Sequence, residues 1–177
     1  WTVHKDRLHW TTLNDLSTKD SNDIINNVYN LLSESKISDL ENYSLMLIDK
    51  YPNWDFSYNA LAISLKESGN YIDAAKYFSK AISISSTPSN NNNLGSLYKD
   101  SGEINKAEII FLDILKSDKN FYQAYYNLAS IYYDLGEHDK AEIFFKDTLK
   151  IENSYFPALL GLANLFREKK NFSEALT

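Results

Sequence analysis

Four acids stand at near-equal intervals along the chain: Glu67, Asp100, Asp134 and Glu168, separated by 33, 34 and 34 residues. Brought into line, such carboxylates would favour Lys or Arg side chains on a ligand. Lys66, Lys99 and Arg167 precede three of them and dilute that field, so a row of solvated helix ends is the competing reading. Two asparagines, Asn93 and Asn127, recur at the same 34-residue interval. A carboxamide donates and accepts at once, so it can hold both the N–H and the C=O of an extended backbone without reading its side chains. No comparable set points to catalysis. His4 and His9 are five apart with Asp6 between them, which is not the spacing of a helical metal pair and brings no third ligand. There is no Gly-rich phosphate loop, no G-x-S-x-G and no nominable Ser, His and acid set. No catalytic residue, metal or cofactor is expected, and the chain reads as a non-enzyme.

The interval itself identifies the elements that must carry these residues. "NNNLGSLYKDSGEINKAEIIFLDILK" from Asn91 and "YYNLASIYYDLGEHDKAEIFFKDTLK" from Tyr125 are nearly one line written twice. On a 34-residue period, frames begin at Ser21, Asp55, Pro88, Tyr122 and Phe156, with 55–87 one residue short. Gly69, Gly102 and Gly136 share one place; Ala74, Ala107, Ala141 and Ala175 share another. Phe78, Phe111 and Phe145 follow, and Ile82, Leu115 and Leu149 follow them. Upstream, Leu61, Leu94, Leu128 and Leu162 each precede Ala62, Gly95, Ala129 or Ala163, with Tyr98, Tyr132 and Phe166 three residues on. Spacings of 3 and 4 put these residues on one face of each of two helices, and the Gly supplies the reversal between them. Each frame therefore predicts a helix-turn-helix hairpin, with Ser38, Asn105, Asp139 and Ser173 suited to cap the second helix.

This pattern resembles the tetratricopeptide repeat, whose period and residue classes it reproduces. The match is clear over 55–169, partial over 156–177 and poor over 21–54, where Ser35, Leu40 and Ser44 stand in for the Gly, Ala and aromatic. The predicted organisation is an N-terminal segment or cap at 1–20, a degenerate hairpin at 21–54, repeats at 55–87, 88–121 and 122–155, and a truncated repeat at 156–177. An unrelated helix pair at 21–54 is the alternative. The resemblance implies an all-α fold, a right-handed superhelix of stacked hairpins whose first helices line a concave groove. One hairpin cannot bury its apolar face alone, so stacking is expected on physical grounds as well. Leu159, Leu162, Ala163, Leu165 and Phe166 should then be incompletely covered, leaving an edge that invites further repeats or self-association.

Composition agrees with helices. With 44% hydrophobic and 24% charged residues, the 177-residue chain is of ordinary globular character. Five Gly and three Pro leave little turn chemistry for a many-stranded sheet. The absence of Cys excludes a disulfide scaffold and thiolate chemistry. A net charge of −6 argues against a nucleic-acid partner. No apolar run approaches the roughly 20 residues that cross a bilayer. A start at Trp1 looks processed or excised, and a cytoplasmic location is expected.

Function is sought at first-helix places that the repeat does not need for packing. These nominate Asn59, Asn92, Asn93, Ser96, Lys99, Asp100, Tyr126, Asn127, Ser130, Tyr133, Asp134 and Asn164 as peptide-binding residues. The Asn93 and Asn127 pair resembles the asparagine ladder of O-GlcNAc transferase superhelices, with Ala60 and Gly161 where further rungs would stand. The carboxylate clamp by which some relatives grip acidic tails needs Lys and Arg where this chain has Asn59, Ser89, Asn92, Gln123 and Gly161. The expected function is a protein-interaction module that binds an extended peptide, with a basic partner favoured. The alternatives are the substrate-recruiting arm of a larger enzyme, such as a glycosyltransferase, and a pure assembly spacer. His138 is expected to be a packed turn residue.

Overall fold

The computed structural model describes residues 18–175, with side chains from 19 to 170. Most of the N-terminal segment, including His4 and His9, and the side chains of Ser173 and Ala175 lie outside the described residues. The elements are α1 (Thr18–Ser33), α2 (Ile37–Lys50), α3 (Asp55–Glu67), α4 (Tyr71–Ile84), α5 (Pro88–Asp100), α6 (Ile104–Ser117), α7 (Tyr122–Asp134), α8 (His138–Ile151) and α9 (Phe156–Ala175). No strand occurs among the described residues, so the fold class is all-α. The chain divides into two compact units, one up to Leu97 and one from Tyr98 onward.

In the first unit, the frame's small residues Ala62 and Ala74 are wholly buried beside Phe78 and Leu97. A second cluster joins α1, α2 and α3 through Val28, Leu40, Leu47, Trp54 and Phe56. Here the degenerate hairpin exchanges volumes: Leu40 fills the Ala place, and Ser44 fills the aromatic place and donates its hydroxyl to the Leu40 carbonyl at 2.7 Å. Trp54, tilted against Phe56 at 4.6 Å and edge-on to Tyr51 at 5.8 Å, supplies apolar bulk to this cluster. In the second unit, Ala107, Phe111, Leu128, Ala129, Ala141 and Phe145 form one core with Ala124, Ala158 and Leu165.

The turns explain the hairpins. Gly69, Gly102 and Gly136 adopt φ of 80°, 82° and 74°, a left-handed backbone open to glycine without a Cβ penalty. Each closes its helix with two reversed bonds. At the second of them, the Gly102 N–H donates to the Lys99 carbonyl and the Glu103 N–H to the Tyr98 carbonyl, which satisfies the last carbonyls of the helix. Ser35 stands in the glycine's place and takes the same conformation, φ 55°, with the same bonds to Leu32 and Leu31. Lys170 stands there in the last frame, and the outcome is opposite. Where the frame expects a reversal, α9 continues helical to Ala175.

The cap assignments are corrected by two residues. The N-cap places fall on Lys36, Asn70, Glu103 and Glu137, so Ser38, Asn105 and Asp139 lie inside the first turns. Among these four caps only Asn70 bonds through its side chain, accepting from the Asp73 N–H. The left-handed residue is followed directly by the cap, which leaves no room for the longer loop that the frame implied.

Candidate peptide-binding faces

Within the first unit the candidate face centres on α3 and α5. Asn59 does not point outward. It is 0% exposed, donates to the Asp55 carbonyl at 3.0 Å and to Asn90 Oδ1 at 2.8 Å, and accepts from Asn93 Nδ2 at 3.3 Å. Asn90 in turn donates to the buried Asp55 carboxylate at 2.8 Å and to the Ser85 carbonyl at 2.6 Å. Asn59 thus positions Asn93, which is half-buried, while Asn92 is almost fully buried. Ser96 is half-buried and Glu67 is exposed.

Within the second unit, Lys99 Nζ donates to Asn127 Oδ1 at 3.1 Å, so these two candidates hold each other. Asn127 is 8% exposed. The Tyr126 ring packs against Phe145 and Tyr155, at 6.1 and 5.2 Å between centroids. Ser130 is half-buried; Asp100 and Asp134 are exposed. Asn164 accepts from the Arg167 guanidinium at 3.2 Å.

Glu168 departs from the other acids. Its Oε1 accepts the Tyr133 hydroxyl at 2.5 Å, and its Oε2 lies 3.8 Å from His138 Nε2. The Tyr133 and His138 rings stack at 5.9 Å, which makes His138 a packed residue at the start of α8. The carboxylate beside it holds the Tyr133 phenol above its usual range. Glu168 is therefore engaged by α7 and α8, whereas Glu67, Asp100 and Asp134 are exposed.

At Ala60 and Gly161, position 6 of the frame is a packing place. Ala60 is buried, and a Cβ on Gly161 would meet the Phe145 ring at 2.4 Å. The sequence could not show this, because Asn, Ala and Gly differ in polarity and share only small size. At the end of the chain Phe156, Leu159, Leu160 and Phe166 are exposed, as expected of an uncovered face, but Leu165 is fully buried in the core of α6 to α9.

A tetratricopeptide repeat model matches residues 57–88, 89–121 and 122–155, together more than half of the chain. The chain belongs to the tetratricopeptide repeat family. Solved repeat structures share the fold at low identity. A thermophilic repeat protein from Thermus thermophilus matches with TM-score 0.70 at 16% identity, covering 78% of this chain and 77% of that one. A repeat protein from Parabacteroides merdae matches with TM-score 0.64 at 22% identity, over 86% of this chain and 61% of that one. The first repeat domain of Spaghetti (RPAP3), solved bound to the HSP90 peptide SRMEEVD, matches with TM-score 0.58 at 16% identity, over 66% of this chain and 93% of that one. No curated protein matches this sequence. Among the described residues, no helix of this repeat protein is long and apolar enough to cross a membrane.

Proposed function

We propose that this repeat protein is an interaction module that binds an extended protein segment on the first helices of its hairpins, with a preference for basic segments. The observation that carries the reading is the contrast along those helices. Position 2 and 5 residues such as Phe56, Ser89, Asn59 and Asn92 are buried. Ser96, Lys99, Ser130 and Tyr133 are half-buried, and Glu67, Asp100 and Asp134 are exposed. Exposure thus rises from the early places of each first helix to the acids at its end. The peptide on the RPAP3 domain carries two Glu and one Asp. The exposed acids here suit the opposite charge, and residues 59, 89, 92, 123 and 161 offer no cation for an acidic tail. Recruitment of a substrate to an enzyme domain elsewhere would use the same faces.

The test is a peptide array probed with two double variants. Asp100→Asn with Asp134→Asn should weaken basic peptides alone, and the loss should shrink as salt screens the charges. Asn93→Ala with Asn127→Ala should weaken all peptides alike, by roughly 0.5–1.5 kcal/mol per hydrogen bond lost, with a melting curve to separate the packing cost. Equal losses for basic and acidic peptides in the Asp pair, or full binding in the Asn pair, would place the ligand elsewhere.

A further inference from the structure

The first unit contains an open cleft of about 440 Å³ between α2, α3 and α4, beside the Asn70 cap of α4. Leu61 and Leu65 of α3 line it, with Glu41 and Leu45 of α2 and Tyr77 and Asp73 of α4. Its volume lies within the range of about 300–1,000 Å³ typical of ligand pockets. The repeat supplies an internal template for what belongs there. In the matching place of the second unit, Tyr132 replaces Leu65, Glu108 replaces Glu41, Phe144 replaces Tyr77 and Lys140 replaces Asp73. There the Tyr132 ring stacks on Phe144 at 5.4 Å and 19°, its hydroxyl donates to the Glu108 carboxylate, and Lys140 Nζ lies 4.8 Å over its face. Tyr98 carries Lys106 in the same way, at 4.9 Å.

The first unit keeps most of this seat and lacks its occupant. Leucine ends short of the place that a phenol would reach. Glu41 remains as the acceptor, Tyr77 as the stacking surface and Leu61 as the apolar lining. The cation over the ring is also missing. In its place stands Asp73, whose carboxylate is held below the usual range by Lys76 and then by Asn70. With Glu41 and Asp73 against the single Lys76, this cleft is net acidic.

We propose that this cleft docks a tyrosine side chain of a partner protein, flanked in that partner by Lys or Arg. The incoming ring takes the place that Tyr132 fills in the second unit. Its hydroxyl donates to Glu41, its face lies on Tyr77, and the neighbouring cation faces Asp73 and Glu41. This interface shares α3 with the first-helix faces but is reported by different residues, Glu41, Leu65 and Tyr77.

The experiment titrates isotope-labelled full chain with acetyl-Lys-Tyr-Lys-amide and follows backbone amide shifts. Saturable shifts confined to residues 41–45, 61–65 and 73–77 are expected. The Tyr peptide should bind about tenfold more tightly than its Phe counterpart, the size expected of a hydrogen bond to a charged group. Glu41→Gln should reduce that advantage, and replacing the flanking Lys by Glu should abolish binding. Leu65→Tyr should build the missing ring into the protein, keep or raise its melting temperature and remove the peptide shifts. Absence of saturable shifts in the unaltered protein, Tyr and Phe peptides of equal affinity, or undiminished binding to folded Leu65→Tyr would overturn the proposal. Should that variant not fold, Glu41→Gln decides: an unchanged Tyr advantage would overturn it equally.

Discussion

The junction between α3 and α5 and the junction between α7 and α9 occupy the same repeat places and are built from opposite chemistry. In the first, Asp55 and Asn59 meet Asn90, and Thr87 accepts the Asn90 backbone N–H at 3.1 Å. In the second, the corresponding residues are Tyr122, Tyr126, Ala158 and Tyr155, and Tyr155 packs edge-on to both other rings at 5.1 and 5.2 Å. The frame specifies that two first helices approach here, and either a buried polar network or an aromatic cluster can fill the gap. They differ in tolerance. A buried amide network holds only while its members keep their partners, because each lost bond leaves a desolvated group. Rings contribute mainly through area and adjust more readily.

The largest expected effect therefore lies at Asn90. Asn90→Ala installs the residue that α9 carries at this place, and it removes a donor from the buried Asp55 carboxylate and an acceptor from Asn59. A loss of about 3 kcal/mol or more is expected, read from urea unfolding. Tyr155→Ala, which deletes the half-buried ring of the other junction, should cost less, about 2 kcal/mol. Equal losses at the two positions would break the comparison, and a loss at Asn90 below about 1 kcal/mol would show that the polar network is not what holds the first junction.

A smaller effect separates Leu65 from Tyr132. Burial, followed by the Glu108 hydrogen bond, raises the Tyr132 phenol to about 12 from the ordinary value of 10.0. A raised value in the folded chain means that folding favours the neutral phenol. Its contribution is complete below about pH 10 and is lost as pH rises through about 12. Leu65 has nothing to ionise there. The phenolate absorbance difference between the unaltered chain and Tyr132→Phe should show a midpoint near 12; a midpoint near 10 would mean that the ring is not seated against Phe144 and Glu108.

Much of the core was legible in the sequence because the repeat samples it several times over. Ala107 and Ala141, Phe111 and Phe145, and Gly102 and Gly136 each recur at one interval, and the structure buries the first two pairs and turns at the third. The caps were not legible, since a glycine marks the turn but not how many residues follow it. Nor was the fate of the non-glycine turns. Ser35 and Lys170 both break the pattern, yet one reverses the chain and the other continues the helix. The candidate site was legible only as a set of places. Asn59 and Asn93 look alike in sequence, and their different burial depends on Asn90, some thirty residues away from one of them.

The sequence by itself therefore determined the period, the hairpins, the close-approach and aromatic places and the excess of acid, because these follow from residue size and charge repeated at helical spacing. Tertiary structure alone decided which asparagines are buried as mutual partners, that Glu168 is claimed by Tyr133, and that a cleft opens beside Leu65. Each of those outcomes depends on the side chains that another helix brings to the same point, and a repeat pattern states the place without stating its neighbours.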